Sequence, residues 1–385
     1  MDCFLLEFFY ISIKSLRMRK YYTTEEAAHY LGVSSARIRQ YILEERLQTD
    51  KSGRDHLIAE SVLAEFARFG RKKVGRPFHE LYNPNTLTVE SEQATASNTL
   101  INRGLLDEEG LQVINGDTRD IIKSLPDNTF RCVVTSPPYW GVRDYGVENQ
   151  IGAEPDLNDY VNALVEIFSE VRRVLKSDGT FWLNIGNTYT SGGRKWRQED
   201  SKNKGRAMSY RPPTPDGLKK KDLIGVAWMV AMACQLEGWY LRNDIIWHKP
   251  NCQPESVKDR LTVSHEYLFM FSKSEQYYFN QEAIKESYTN GNGLKNKRTV
   301  WSINTEPCAE AHFAVFPKNL VRPCILAGSE ENDLILDPFY GAGTVGIVSM
   351  ELNRKCVGIE INPDYVDISS RRNARVQGAL ILQES

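Results

Sequence analysis

An α/β domain built on a parallel sheet with helices on both faces, preceded by a small helical domain, is the fold this 385-residue sequence predicts. Three observations predict it. From Leu111 onward, apolar runs of strand length alternate with stretches of helical periodicity, the order in which crossover helices join parallel strands. Between Tyr21 and Phe69 the pattern changes to short helices around a glycine. The length exceeds that of one ordinary domain and leaves room for a smaller module beside a main one.

Residues 1–17 form a leader with a short apolar run (Phe4, Leu5, Leu6, Phe8, Phe9, Tyr10, Ile11) that Glu7 interrupts and Asp2 precedes. The run is too short for a membrane span and has the wrong flanks for a signal peptide, so translation is expected to begin at Met18, before the first patterned segment. Residues 18–70 read as a helix-turn-helix module. Thr23-Thr24-Glu25-Glu26 supplies an N-cap and first turn ahead of Ala27, Ala28, Tyr30 and Leu31; Gly32 breaks the helix, and Ser34-Ser35 caps a second one carrying Ile38, Tyr41, Ile42 and Leu43. Residues 71–109, from the basic "RKKVGRP" through a stretch rich in Asn, Thr, Ser and Glu, read as a linker.

Residues 110–380 carry the α/β pattern. "LQVIN" and "RCVVT" (Arg131 to Thr135) are strands, the second leading into Ser136-Pro137-Pro138-Tyr139-Trp140. Apolar residues at Tyr160, Leu164, Ile167, Phe168, Val171 and Val174 give an amphipathic helix over Asp156 to Lys176, expected to stop at Asp178-Gly179. "TFWLNI" is a buried strand. Residues 191–222 form a long loop, a length that inside a compact domain signals function or disorder. "DLIL" (Asp333 to Leu336) is a strand leading to Asp337-Pro338-Phe339-Tyr340-Gly341-Ala342-Gly343-Thr344; a helix follows, then a strand from Cys356 to Ile359 that ends at Glu360.

Composition excludes several classes. With 41% hydrophobic and 25% charged residues the chain is neither disordered nor membrane-embedded. Seven cysteines without a CxxC pair argue against a zinc site and a disulfide framework, and no metal site is expected; a reducing cytoplasm fits. The net charge of -2 conceals an uneven distribution. Arg17 to Arg76 holds 13 Lys/Arg against 8 Asp/Glu, and Ser191 to Asp222 holds 10 against 4, leaving the remainder acidic. Two basic segments are two places where a polyanion can lie, since Lys and Arg contacts to phosphate supply sequence-independent affinity for DNA.

Leu336 to Glu360 reads as strand, glycine turn, helix, strand and terminal acid, the Rossmann-like half-site for an adenosine-containing cofactor. Gly341 and Gly343 let the backbone approach a ligand, and Glu360, 17 residues beyond Gly343, is placed to accept from ribose hydroxyls. Asp337 lies at the strand end, near the ligand's amino acid portion. The tetrapeptide Ser136-Pro137-Pro138-Tyr139 makes chemical sense as a clamp for an amino group. An exocyclic NH2 is a poor nucleophile because its lone pair is delocalised into the ring. If Ser136 Oγ and the Pro137 carbonyl each accept one N–H, the nitrogen becomes pyramidal and its lone pair is freed. Two successive prolines fix the backbone that presents this carbonyl, and Tyr139 offers a face for a base flipped out of the duplex. Carbon-5 methylation would instead need a thiolate beside the base; Cys132, on the preceding strand, reads as a buried core thiol.

Together these elements resemble the amino-methyltransferases of DNA, which carry (Asp/Asn/Ser)-Pro-Pro-Tyr and a Phe-x-Gly-x-Gly cofactor loop. The clamp precedes the cofactor loop by 198 residues (Tyr139 to Asp337), the permuted order of the beta class and the reverse of that in the glutamine methyltransferases of release factors. The resemblance covers about Gly110 to Gly378 and implies an S-adenosyl-L-methionine (AdoMet)-dependent methyltransferase fold. It implies that Asp117, in "GDTRD", binds the adenine amino group, that Phe316 and Pro317, in "AHFAVFPKNLVRPCILAG", line the cofactor pocket, and that Phe339 and Thr344 complete the loop. Ala342 and Val345 depart from the Ser and Thr common in "GSGTT". Serine in the first clamp position implies N4 of cytosine as the target, with N6 of adenine as the alternative; a DNA-binding regulator with an inactive methyltransferase half is the reading from another class.

The N-terminal segment is similar to the winged helix-turn-helix of excisionase and MerR-type proteins, which implies DNA contacts from Arg37, Arg39 and Gln40. Arg194, Lys195 and Arg197, in the basic loop 191–222, are further candidates, and that loop together with residues 288–298 is expected to recognise the target. Double-stranded DNA, a cognate restriction endonuclease and a cytoplasmic location, with no membrane partner, complete the expectation.

Overall fold

The fold is that of a computed structural model, which describes residues 21–31, 38, 39, 41, 42, 47, 49–52, 55–59, 62, 63, 66, 110–191, 196, 208, 210–288, 291–306 and 315–384. The chain divides into two compact units, Met1–Val89 and Glu90–Ser385. The leader 1–17, the linker up to residue 109, and Arg37, Gln40, Arg194, Lys195 and Arg197 lie outside the described residues.

In the first unit, β1 (Tyr21–Tyr22) leads into α1 (Thr24–Leu31), and β2 (Asp50–Ser52) and β3 (Asp55–Ala59) follow. Thr23 and Glu26 close a capping box: the Thr23 hydroxyl accepts from the Glu26 amide at 3.3 Å while the Glu26 carboxylate accepts from the Thr23 amide at 3.0 Å. The helix therefore starts where the Thr-Thr-Glu-Glu run places it. Ala27, Ala28, Leu31, Ile38, Leu47, Ile58, Leu63 and Phe66 form its core. The strands make a three-stranded antiparallel sheet in the order β1-β3-β2, so this module is not purely helical but carries a wing. Arg39 is exposed.

The second unit contains β4 (Leu111–Asn115), α2 (Thr118–Ser124), β5 (Phe130–Thr135), α3 (Leu157–Val174), β6 (Leu175–Ile185) and α4 (Val226–Leu236). Then come β7 (Tyr240–His248), β8 (His265–Ser272), the short β9 (Glu286–Ser287) and β10 (Leu294–Lys295), and β11 (Val300–Ser302). It ends with α5 (Lys318–Gly328), β12 (Leu334–Asp337), α6 (Thr344–Glu351), β13 (Lys355–Glu360) and α7 (Pro363–Glu384). Eight strands form one sheet in the order β11-β7-β8-β6-β5-β12-β13-β4.

The sheet is mixed rather than wholly parallel. β8 runs antiparallel to both β6 and β7 because residues 249–264 join β7 to β8 without a crossover helix, and an adjacent strand reached by a loop must reverse direction. Each face has its own core, as alternation along β5 and β6 dictates. Val133, Phe181 and Leu183 point toward α3 and α4, whereas Cys132, Val134 and Trp182 point toward α5 and α6.

The helix expected to stop at Asp178-Gly179 stops earlier. α3 ends at Val174, and β6 begins at the next residue, Leu175, which is fully buried and pairs with Phe130. Burial of Leu175 against the neighbouring strand outweighs helix continuation. Gly179 has a different use: a Cβ there would sit 2.9 Å from the Arg131 carbonyl, so the glycine permits close approach of β6 to β5.

Candidate active site

Four parallel strands, β4, β5, β12 and β13, end at one edge of the sheet, where open α/β sheets hold their ligands. Register brings the chemistry together. Asp337 lies opposite Gly358, Glu360 opposite Asn115, and Thr135, which immediately precedes the clamp, sends its hydroxyl to Asp337 Oδ1 at 2.6 Å. Residues more than 200 positions apart in the chain thus share one crevice.

Asp337 is 1% exposed. Its Oδ1 also accepts from the Phe339 amide at 3.0 Å, but Oδ2 is buried without a hydrogen-bond partner among the described residues. Burial pushes the carboxyl up to about 7; the Thr135 and Phe339 donors oppose the shift and the Glu360 charge adds to it. A buried carboxylate oxygen with nothing to bind calls for a cation. The turn after it is built by glycine: Gly341 and Gly343 have φ of +50° and +83°, and a Cβ on Gly343 would lie 2.9 Å from Ser369 Cβ. Glu360 Oε2 accepts from the Gly341 amide at 2.7 Å and Oε1 from the Asn362 amide at 2.8 Å, which leaves each oxygen a further lone pair. Burial raises the Glu360 carboxyl above its ordinary value against those backbone donors.

Asp117 caps α2, accepting from the Arg119 amide at 2.9 Å, and its carboxylate is forked by the Arg119 guanidinium. Burial acts to raise this carboxyl, but the hydrogen bonds and charge of Arg119 outweigh it and hold it below its ordinary value. Phe316 borders a narrow crevice with Thr135 and Asn184, and Pro317 caps α5 directly beneath it in sequence. These residues fit AdoMet. The orphaned Asp337 oxygen suits an ammonium, the glycine turn lets a ligand reach backbone, and Glu360 retains acceptors for hydroxyls.

The clamp is anchored from outside. Tyr160, on α3, donates its hydroxyl to the Pro138 carbonyl at 2.9 Å; the Val142 amide donates to the Tyr139 carbonyl at 3.2 Å; Trp140 Nε1 donates to the Glu154 carbonyl at 2.9 Å. Among the described residues nothing donates to the Pro137 carbonyl, which is the acceptor an incoming amino group would need. Tyr139 donates its hydroxyl to Glu266 Oε2 at 2.9 Å. Burial pushes this phenol well above its ordinary value, the Glu266 charge adds to the shift, and a hydrogen bond with the Ser136 side chain opposes it. Cys132 is fully buried and its thiol is pushed up to about 12, mainly by burial, as a core thiol should be.

Ser136, Tyr139, Asp337, Gly341, Gly343, Thr344 and Glu360 therefore cluster at the expected edge, with Asp117 beside them at the end of β4. Sequence reasoning missed Thr135, Tyr160, Asn184, Gly186, Lys249 and Glu266. "TFWLNI" and "WHK…SHEY" contain three of these, but nothing in spacing marks a polar residue in a strand as facing the site. Among the described residues no helix is long and apolar enough to cross a membrane.

Comparison with known proteins places these features. The profile of the DNA methylase family matches residues 130–371, and that of a helix-turn-helix domain matches residues 21–71. The chain is 60% identical to the type II methyltransferase M.SmaI of Serratia marcescens, over 69% of this chain and 91% of that protein. It is 56% identical to the type II methyltransferase M.Cfr9I of Citrobacter freundii, over 69% and 89%. Among solved structures, the PvuII DNA methyltransferase, described as cytosine-N4-specific, superposes with a TM-score of 0.52 at 20% identity, over 70% of this chain and 92% of that one. By the family match and these relatives, the chain belongs to the DNA methylase family, AdoMet-dependent enzymes that methylate an amino nitrogen of a DNA base, N4 of cytosine or N6 of adenine.

Proposed function

We propose that the enzyme methylates N4 of cytosine at a specific site in double-stranded DNA, as the modification partner of a cognate restriction endonuclease in the cytoplasm. The observation that carries the chemistry is the Pro137 carbonyl, free of any donor among the described residues, beside Ser136 at the end of β5. Ser136 Oγ and this carbonyl accept the two amino hydrogens of the flipped base, which draws the lone pair out of conjugation with the ring. Tyr160 holds the Pro138 carbonyl, so the turn cannot rotate its neighbour out of line. Tyr139 stacks on the base. AdoMet, when bound, supplies an electrophilic methyl group on a sulfonium. Asp337 holds its ammonium, Glu360 its ribose, and Asp117 its adenine amino group, with Phe316, Pro317, Phe339 and Thr344 closing the pocket. Direct transfer needs no thiolate, and Cys132 cannot supply one at neutral pH.

Cytosine is favoured over adenine by Ser136, where Asp or Asn would imply adenine. Type II modification is favoured by the names of the relatives in Serratia and Citrobacter. Sequence choice falls to segments outside the clamp. The β9–β10 hairpin exposes Tyr288 and Leu294, and Arg298 follows it into solvent, a basic and aromatic surface suited to DNA. The basic loop 191–222, with Arg194, Lys195 and Arg197, and the helix-turn-helix residues Arg37, Arg39 and Gln40 add phosphate or groove contacts. The deciding experiment is nuclease digestion of DNA treated with purified enzyme, with mass detection of the nucleosides. N4-methylcytosine is the expected product; N6-methyladenine would replace the base assignment, and no product with intact AdoMet binding would revive a regulatory role.

A further inference from the structure

Glu266 is a charged residue in an otherwise apolar strand, "EYLFMF", one position beyond the last β6 pairing at Ile185 and Tyr267. Its side chain is 20% exposed, and both oxygens are engaged. Oε1 pairs with the ammonium of Lys249, which is itself 17% exposed and sits 4.1 Å above the Trp247 ring. Oε2 accepts from the Tyr139 hydroxyl at 2.9 Å and from Asn184 Nδ2 at 3.3 Å. Asn184 is fixed in turn by the Tyr267 carbonyl at 3.0 Å. Gly186 completes the niche: a Cβ there would lie 2.9 Å from Tyr139 Cε2 and 3.2 Å from Glu266 Cγ, so only glycine lets ring and carboxylate stem lie side by side. A half-buried ion pair of this kind costs desolvation and adds little to stability compared with apolar packing. Its presence at the clamp calls for a positional account.

We propose that Glu266, held by Lys249, is a positioning residue for methyl transfer: it locks the Tyr139 ring in the orientation in which the target base stacks on it. The inference rests on the reading of Tyr139 as the base platform. Without the carboxylate the phenol keeps, among the described residues, only the Ser136 side chain and Asn184 Oδ1, at 3.4 Å, and the ring beside Gly186 is held less firmly. A loosened platform leaves AdoMet and duplex binding intact and slows the chemical step, because methyl transfer needs the nitrogen aligned with the methyl carbon.

The test is a double-mutant cycle on the full-length enzyme, using a duplex that carries the methylated sequence found by methylome sequencing. Glu266→Gln and Tyr139→Phe are each expected to lower kcat on the order of 10-fold, the size of one hydrogen bond to a charged group, with KM for DNA and Kd for AdoMet unchanged. The double variant is expected to be no slower than the slower single one, since Tyr139→Phe removes the donor of the same bond whose charged acceptor Glu266→Gln neutralises. Lys249→Met, which touches neither Tyr139 nor its bond directly, is expected to reproduce the kcat loss and serves where Glu266→Gln does not fold. Additive losses, or turnover per folded molecule that stays at wild-type level in Glu266→Gln, would overturn the proposal. Tyr139→Ala separates the underlying reading: full activity in that variant removes the platform itself, whereas inactivity beside fully active Glu266→Gln and Tyr139→Phe keeps the platform and rejects Glu266.

Discussion

Replacing Asp337 with asparagine separates two effects of opposite sign. With its folded value raised to about 7 from an ordinary 3.8, this carboxyl keeps its proton in the folded state at pH values where the unfolded chain has lost it. Its contribution to stability is therefore complete below the ordinary carboxylate range and is lost as pH rises through about 7. Between pH 6 and pH 8 the ligand-free wild type should lose between about 1 and 2 kcal/mol that Asp337→Asn does not lose, a divergence in Tm of roughly 2–6 °C. By pH 8 this loss should be complete in the wild type and absent in the variant. It should also be the weaker binder: Asp337 Oδ2 has no other partner among the described residues, so removing its charge should weaken AdoMet on the order of 10- to 100-fold. Scanning fluorimetry of both proteins across this range, and calorimetry of AdoMet binding in two buffers of different ionisation enthalpy, read both effects. From this group the wild type should release up to about half a proton on binding at pH 7, rising toward one at pH 6, and the variant none. Parallel Tm curves for the two proteins between pH 6 and 8, or equal affinities, would refute the assignment of Asp337 as a buried, titrating ammonium acceptor.

Three further outcomes follow from the same geometry. Ser136→Ala should lower kcat on the order of 10- to 100-fold with AdoMet affinity unchanged, measured by tritiated methyl transfer to DNA; full activity would remove the clamp. Tyr160→Phe leaves the Pro138 carbonyl without its donor and should cost about 1 kcal/mol of stability with a several-fold loss in kcat, read by thermal denaturation and turnover on one preparation. Gly186→Ala forces a methyl to within 2.9 Å of the Tyr139 ring and should slow turnover in the wild type, with little added loss in Tyr139→Ala, where the ring is gone.

The catalytic fold was legible because its signals are local. "LQVIN", "RCVVT", "TFWLNI" and "DLIL" are apolar runs too short for helices, and each forms a strand, the last beginning one residue later than expected, at Leu334. The capping box at Thr23 and Glu26 likewise sits within four residues. Two expectations failed for non-local reasons. Strand direction is not written in a strand, so the reversal of β8 depended on the loop before it containing no helix. Asp178-Gly179 looked like a helix stop because glycine is a frequent C-cap, yet this glycine serves a neighbouring strand 48 residues away, at Arg131.

The site was legible where chemistry demands a peptide motif and illegible where it demands a side chain from elsewhere. Ser136 to Tyr139 must be contiguous because two carbonyl and hydroxyl acceptors and an aromatic face have to surround one base. Gly341 and Gly343 must be close in sequence because they shape one turn. Tyr160, Glu266 and Lys249 carry no such constraint. Any element that passes the clamp could have supplied a donor to the Pro138 carbonyl or a carboxylate to the Tyr139 phenol, and only the packing of α3 and the β6–β8 pairing chose these. The same logic applies to the cofactor half. Asp337 is readable from its place before Pro-Phe, but its partner Thr135 comes from a neighbouring strand, and it is Thr135, by occupying Oδ1, that leaves Oδ2 as the one oxygen able to meet a cation. Since Thr135 also immediately precedes Ser136, a single residue ties the end of the cofactor site to the start of the clamp. A shift at either end should then be felt at the other, so Asp337→Asn is expected to lower kcat as well at saturating AdoMet, read by methyl transfer to DNA.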